Sequence, residues 1–206
     1  MWTRLGAIKY CMAIMRVSGG TISRREIRVP HGIRPTQDKV RAALFNSLGK
    51  AVVGARVLEL FAGSGALGIE AWSRGASRVC WVEADRRAAK TLKENVQNLC
   101  GGGAPTEIRQ LDATLFLKKG WTGQPFDIIL ADPPYDREGK TGWLGQLLPL
   151  LEEGGMLAPG GLLIFEQDVS EYVPERPGWS LLRDRKYGET RLLIFRRVAG
   201  SEEEKL

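Results

Sequence analysis

Apolar positions along this chain fall into short runs separated by amphipathic stretches. Arg56–Phe61, Arg78–Glu83, Glu107–Leu111 and Phe126–Ala131 read as strands. The last is nearly all apolar, as a parallel strand covered on both faces would be. Between them the period changes to that of a helix. Val40, Leu44 and Leu48 share one helical face, with Thr36 placed to cap the start and Gly49 to end it. Ala66–Arg74 predicts a helix stopped by Gly75. Arg86–Leu99 predicts another, with Leu92, Val96 and Leu99 on one side and glycines 101–103 beyond. Ala113–Lys119 and Trp143–Leu151 complete the helices. Pro159-Gly160-Gly161 predicts a turn into a fifth strand, Leu162–Glu166. Two late strands, Trp179–Arg185 and Arg191–Arg197, flank a turn at Tyr187-Gly188-Glu189. This alternation predicts a doubly wound α/β sheet closed by a C-terminal hairpin. Upstream, residues 15–35 read as a small β-rich or irregular piece with turn signals at Gly19-Gly20 and Pro30-His31-Gly32.

With 206 residues, one domain with modest appendages is expected. The predicted organisation is an N-terminal extension and basic arm over 1–35, an α/β domain over 36–198, and an acidic disordered tail over 199–206. The formal net charge is +6, and its distribution is uneven. The first 41 residues carry nine basic side chains and two acidic ones, so the remainder is close to neutral. Such a segment suits a solvated arm or a footprint on a phosphate backbone equally well. Three cysteines without a C-x-x-C pair, and one histidine, argue against a disulfide framework, a zinc site and a histidine-based triad. They fit a reducing, cytoplasmic compartment. Residues 2–15 are rather apolar, but Lys9 interrupts them and no small-residue cleavage site follows, so no signal peptide is expected. No run approaches the ~20 apolar residues that span a bilayer, so no membrane partner is expected.

Gly63-Ser64-Gly65-Ala66-Leu67-Gly68 follows the first strand of the alternation and opens a helix, matching G-x-G-x-x-G. Its glycines permit a tight turn and close approach of a ligand to backbone N–H groups. Glu83, twenty residues past Gly63, ends the next strand, where a carboxylate can accept hydrogen bonds from both ribose hydroxyls of an adenosine ligand. These features alone fit a nicotinamide dinucleotide as well. Glu59 shifts the balance: a carboxylate near the turn repels a pyrophosphate but suits the ammonium of a methionine moiety. It could equally serve only to tether the loop. Asp112, at the end of the third strand, is placed to take an adenine amine.

Asp132-Pro133-Pro134-Tyr135 lies where the fourth strand emerges at the carboxyl edge, the ligand crevice of an open α/β sheet. An exocyclic aryl amine is a poor nucleophile because its lone pair is delocalised into the ring. Acceptors on its N–H groups favour rehybridisation as a methyl carbon approaches. Asp132 can supply one acceptor and the Pro133 carbonyl another, because consecutive prolines fix the turn and remove neighbouring donors. Tyr135 can stack on an extruded base, a contact worth ~1–3 kcal/mol. The chemistry indicated is direct methyl transfer to an amine, which requires no metal.

Taken together, Met15–Gly20, Ile33-Arg34-Pro35-Thr36 with Lys39, Arg41, Leu44, Phe45 and Asn46, Leu60–Gly68, and Asp132–Tyr135 resemble the RsmD-type 16S ribosomal RNA guanine-N2 methyltransferases. The resemblance runs from about Met15 to Val198. It implies a seven-stranded class I methyltransferase sheet of Rossmann-like type, mostly parallel with a C-terminal antiparallel hairpin. It implies S-adenosyl-L-methionine as methyl donor and a guanine of 16S rRNA, or of a 30S assembly intermediate, as target. Carried over by position, Glu59, Phe61, Gly63, Gly65, Glu83, Ala84, Asp112 and Ala113 would surround the cofactor, with Arg34 and Thr36 bordering its pocket. Asp132, Pro133, Pro134 and Tyr135 would hold the target base, and Arg16, Arg24, Arg25 and Arg28 would meet RNA. A monomer is expected. An N6-adenine methyltransferase would share the same glycine loop and corner, although the chain has no evident target-recognition domain. A dinucleotide-dependent oxidoreductase would leave Asp132–Tyr135 without a role.

Overall fold

The computed structural model describes residues 13–30, 38–101, 104–136 and 142–198. Arg34, Thr36, His31, Cys11 and the acidic tail lie outside the described residues, together with what the sequence predicts for them. In chain order the elements begin with β1 (Ala13–Arg16), β2 (Glu26–Val29), α1 (Asp38–Leu48) and a 3₁₀ turn over Gly49–Val52. Next come β3 (Arg56–Leu60), α2 (Ala66–Ser73), β4 (Arg78–Val82), α3 (Arg86–Cys100) and β5 (Thr106–Arg109). Then follow α4 (Ala113–Lys119), β6 (Phe126–Ala131), α5 (Trp143–Glu153), β7 (Leu157–Asp168), β8 (Trp179–Tyr187) and β9 (Thr190–Arg197).

β1 and β2 form a separate antiparallel pair, while the other seven strands form one sheet in the order β5-β4-β3-β6-β7-β9-β8. β3 to β7 run parallel, and β9 runs antiparallel to both β7 and β8. The winding leaves β3 towards β4 on one side and resumes at β6 on the other. That reversal between β3 and β6 is the switch point at which open α/β sheets bind ligands.

The central strands are apolar because both faces are covered. Val57, Val79, Ile128, Leu130 and Ile164 pack in one core with residues of α1, α2, α3 and the β1–β2 hairpin. Leu58, Leu60, Cys80, Val82, Ile129 and Phe165 pack in the other with residues of α4 and α5. Burial pushes the thiols of buried Cys80 and half-buried Cys100 up to about 12.

The structure corrects two sequence expectations. β7 starts at Leu157, not Leu162, and carries Pro159-Gly160-Gly161 inside it. Phe126 pairs with Leu157 but Ile128 pairs with Leu162, so the extra residues bulge out of the ladder rather than preceding it. A bulge tolerates a proline without an N–H and a glycine at φ 73°, as Gly160 is. Second, Arg41 is not part of a basic surface. It is fully buried on α1, with Nε 3.4 Å from Glu70 Oε2 and Nη2 donating to Asp38 Oδ1 at 2.8 Å.

Nor does the N-terminal hairpin hang free. Met15, Val17, Ile27 and Val29 belong to the same core as α1 and α2. Ser18 donates through its backbone and hydroxyl to the two oxygens of Glu70, both at 2.7 Å. Asn95 on α3 accepts from Arg28 N at 3.0 Å, and its amide donates to Arg28 O at 2.8 Å and to Ser64 O at 3.0 Å. One buried side chain thus joins the hairpin, α3 and the glycine loop.

Candidate active site

Register decides which side chains meet. Leu60 is paired with Val82 on one side and Ala131 on the other, and Ala131 with Phe165. The next residues along each strand, Glu83, Phe61, Asp132 and Glu166, therefore stand side by side at the carboxyl edge. Glu83 and Asp132 are two strand spacings apart, roughly 10 Å, with the glycine loop between them.

The loop is built by close packing. A Cβ on Gly65 would lie 2.3 Å from Leu92 Cδ1, and one on Gly68 would lie 2.3 Å from Trp81 Nε1. At Gly68 a side chain would collide with Trp81 and Glu59 of the sheet, so the glycine lets α2 lie close on the strands. Phe61 adopts φ 55°, a left-handed conformation that costs a non-glycine residue energy and gathers at functional sites. Glu83 is buried and clamps the loop: Oε2 accepts from Gly63 N and Oε1 from Asp85 N, each at 2.7 Å. Each oxygen keeps a second lone pair, so the carboxylate can still receive two hydroxyl donors. Ala84 follows it before Asp85, which caps α3 by accepting from Arg87 N and Ala88 N.

Glu59 lies beneath this loop, 3% exposed, and its Oε2 accepts from Gly68 N at 2.7 Å. The Trp81 indole N–H lies near the same carboxylate but makes no well-formed hydrogen bond. Burial, helped by the charge of Asp132, pushes Glu59 up to about 8. Its placement is that of a tether on the start of α2. Asp112 caps α4, with Oδ1 accepting from Thr114 Oγ1 at 2.6 Å and Leu115 N at 3.0 Å, and these bonds hold its carboxyl below the ordinary value. Ala113, the first residue of α4, is buried behind it.

At the corner, Asp132 is half-buried and its charge reaches Glu59 and Tyr135 alike. Pro133 is buried and Pro134 exposed. The Tyr135 hydroxyl lies 2.6 Å from Thr190 Oγ1 and donates to Glu166 Oε1 at 3.2 Å, which ties the corner to β7 and β9. Burial pushes that phenol up to about 12, so it stays neutral.

Two contributors were not singled out from sequence. Trp143, at the start of α5, donates through Nε1 to Pro134 O at 3.1 Å and packs edge-on against Phe61, with ring centroids 5.0 Å apart. It bridges the corner and the glycine loop, a contact that no local pattern encodes. Glu166 lies near the end of β7; in the sequence it closes the apolar run Leu162–Phe165 as Glu83 follows Val79–Val82, and that repetition was the available signal. Arg16, Arg24, Arg25 and Arg28 are not brought into the site; they lie on the hairpin surface. Arg16 pairs with Glu26 at 3.4 Å and Arg28 with Glu94 at 3.8 Å, both between exposed groups. Arg24 turns the chain at φ 70°. Among the described residues, no group of three His, Cys, Asp or Glu side chains could hold a metal ion. No helix among them is long and apolar enough to cross a membrane.

The sequence and the fold are similar to those of known proteins. A family model described as Conserved hypothetical protein 95 matches residues 15–196. Ribosomal RNA small subunit methyltransferase D of Escherichia coli is 38% identical over 191 residues, covering 91% of this chain and 92% of that protein. A putative rRNA methyltransferase of Bacillus subtilis is 38% identical over 190 residues, covering 89% and 99%. Among solved structures, a putative methyltransferase from Escherichia coli superposes with a TM-score of 0.78 at 34% identity, covering 91% of this chain and 99% of that one. The sheet order is that of the class I methyltransferases. With both strand winding and sequence in agreement, the chain belongs to the Conserved hypothetical protein 95 family, the RsmD-type methyltransferases.

Proposed function

We propose that this chain is a cytoplasmic, monomeric S-adenosyl-L-methionine-dependent methyltransferase that modifies the exocyclic N2 amine of a guanine in 16S ribosomal RNA. The observation that carries this reading is the β3–β6 register, which seats Asp132 beside the glycine loop. The relatives' names supply the substrate class.

The residues present fit the cofactor. Glu83 offers lone pairs for the ribose hydroxyls, Gly63 and Gly65 keep the loop close, and Asp112 and Ala113 border the adenine side. We assign Glu59 to the methionine ammonium, directly or through water, in addition to tethering α2; a bound ammonium would favour its ionised form. When bound, this group supplies a methyl on a sulfonium, which the amine nitrogen takes up in line. Everything else is positioning by the chain, which can supply much of the rate. Asp132 holds one amine N–H and receives or relays the proton that becomes acidic as the new bond forms. Trp143 fixes the Pro134 carbonyl, and we assign the Pro133 carbonyl as the corner's second acceptor. Tyr135 offers its ring to the target base, its hydroxyl anchored on Thr190 and Glu166. Arg16, Arg24, Arg25 and Arg28 provide a rigidly mounted phosphate-contacting arm.

Nucleoside mass spectrometry of 16S rRNA and of genomic DNA, from cells with and without the gene, tests this. Loss of N2-methylguanine at one rRNA position supports the reading. Loss of N6-methyladenine with guanine unaffected would establish the adenine alternative.

A further inference from the structure

β8 is the outer edge of the sheet, and most of its residues are exposed. An edge strand needs charge to resist pairing with other chains, and basic side chains stand on both faces of this hairpin. Arg183 pairs with Ile194, Arg185 with Leu192, and Ser180 with Arg196. Directly opposed residues share a face, so Arg183, Arg185 and Arg196 all lie on the face that α1 covers. The hairpin's paired acid lies on the other face, where Asp184 accepts from Arg191 at 2.7 Å and 3.0 Å. Among the described residues no carboxylate pairs with Arg183, Arg185 or Arg196. Arg183 donates to the Ser47 hydroxyl of α1, and Arg185 to the Asp184 carbonyl at 3.3 Å.

Arg183 and Arg185 line a groove of about 100 Å³, with Ser47 and Tyr187, over Leu192 and Ile194. Sites for drug-sized ligands and cofactors begin at roughly 300 Å³. This one suits a phosphate group, not a nucleoside. Its direction adds to the argument. β9 begins at the carboxyl edge, where Thr190 meets both Tyr187 in the ladder and the Tyr135 hydroxyl. The groove therefore runs away from the Asp132 corner, through Tyr187, to Arg185 and then Arg183. Alternate residues of a strand are about 7 Å apart, a step close to that between successive phosphates of an extended ribonucleotide chain.

We propose that this groove is a second RNA-backbone site, in which Arg185 and Arg183 hold phosphates of the strand flanking the target base. The inference rests on the reading of this chain as an RNA methyltransferase. It adds a basic surface at the β8 edge, separate from the Arg24–Arg25 turn, which packs on the C-terminal end of α2 through Thr21 and Ile22.

The test uses a 16S rRNA transcript and the full chain, with affinity measured from about 50 to about 200 mM salt. Arg183→Glu with Arg185→Glu should flatten the plot of log affinity against log salt by roughly 1.5, two phosphates at 0.7–0.9 each. Affinity for S-adenosyl-L-methionine, read by calorimetry, should not change. Arg183→Gln with Arg185→Gln should give the same direction with a smaller loss of affinity, and guards against misfolding of the charge reversal. An unchanged slope in variants that still bind the cofactor, beside a wild type with a normal slope, would overturn the groove and leave the methyltransferase reading intact. A wild type that binds the transcript without salt dependence would overturn both.

Discussion

Glu59 shows how burial converts one carboxylate into a pH sensor. Its ordinary value is 4.5, and burial carries it to about 8 in the folded chain. The native state therefore keeps a proton that the unfolded chain releases over that window. Stability falls as pH rises from about 4.5 towards 8 and levels off above. Glu59→Gln keeps an oxygen for Gly68 N but cannot ionise, so in cofactor-free protein it should remove that decline. Urea midpoints measured across the window check this, and parallel curves for variant and wild type would contradict it. Trp143 tests positioning in the same way. Trp143→Phe retains the ring against Phe61 and loses the bond to the Pro134 carbonyl. Turnover should fall about tenfold to a hundredfold with little change in cofactor affinity, and a kcat equal to wild type would show that the corner holds itself. Asp132, Glu83 and the glycines were legible in the sequence because their spacing follows the strand–turn–helix grammar. Trp143 was not, because its two contacts arise only when α5 folds back over the switch point.

At the scale of elements, legibility followed local signals. α4 and β6 have the bounds the sequence predicts, one stopped by Gly120 and the other an uninterrupted apolar run. The start of β7 was hidden because Pro159-Gly160-Gly161 has the composition of a turn, while only the pairing with β6 reveals that the ladder resumes on either side. The docking of the β1–β2 hairpin was likewise invisible, since it depends on Asn95 and Glu70, two polar residues inside helices that the apolar pattern passes over. Asn95→Ala removes the bonds to Arg28 and Ser64 and leaves buried groups without partners. This should cost about 1–3 kcal/mol, lowering the melting temperature by roughly 3–10 °C. A melting temperature within a degree or so of wild type would mean that the hairpin is held by its apolar residues alone.

Across the whole molecule, the hairpin and the outer strands carry exposed arginines, and the carboxyl ends of β3, β4, β6 and β7 carry the loops and carboxylates of the site. Arg41 shows the limit of counting charges along a sequence: it adds to the N-terminal excess yet lies fully buried against Glu70. Arg24→Glu with Arg25→Glu should weaken binding to a 16S rRNA transcript and flatten its salt dependence by about 0.7–0.9 for each phosphate no longer neutralised. An unchanged slope would make the arm a solvated surface. The central claim is narrower: the carboxylate after β6 acts on an amine held beside the glycine loop. Single-turnover methylation of small subunits from a gene-deletion strain by the Asp132→Ala variant, with cofactor affinity measured in parallel, addresses it most directly. The expected result is near-complete loss of methyl transfer with S-adenosyl-L-methionine still bound at close to wild-type affinity. Methylation at the wild-type rate would contradict it.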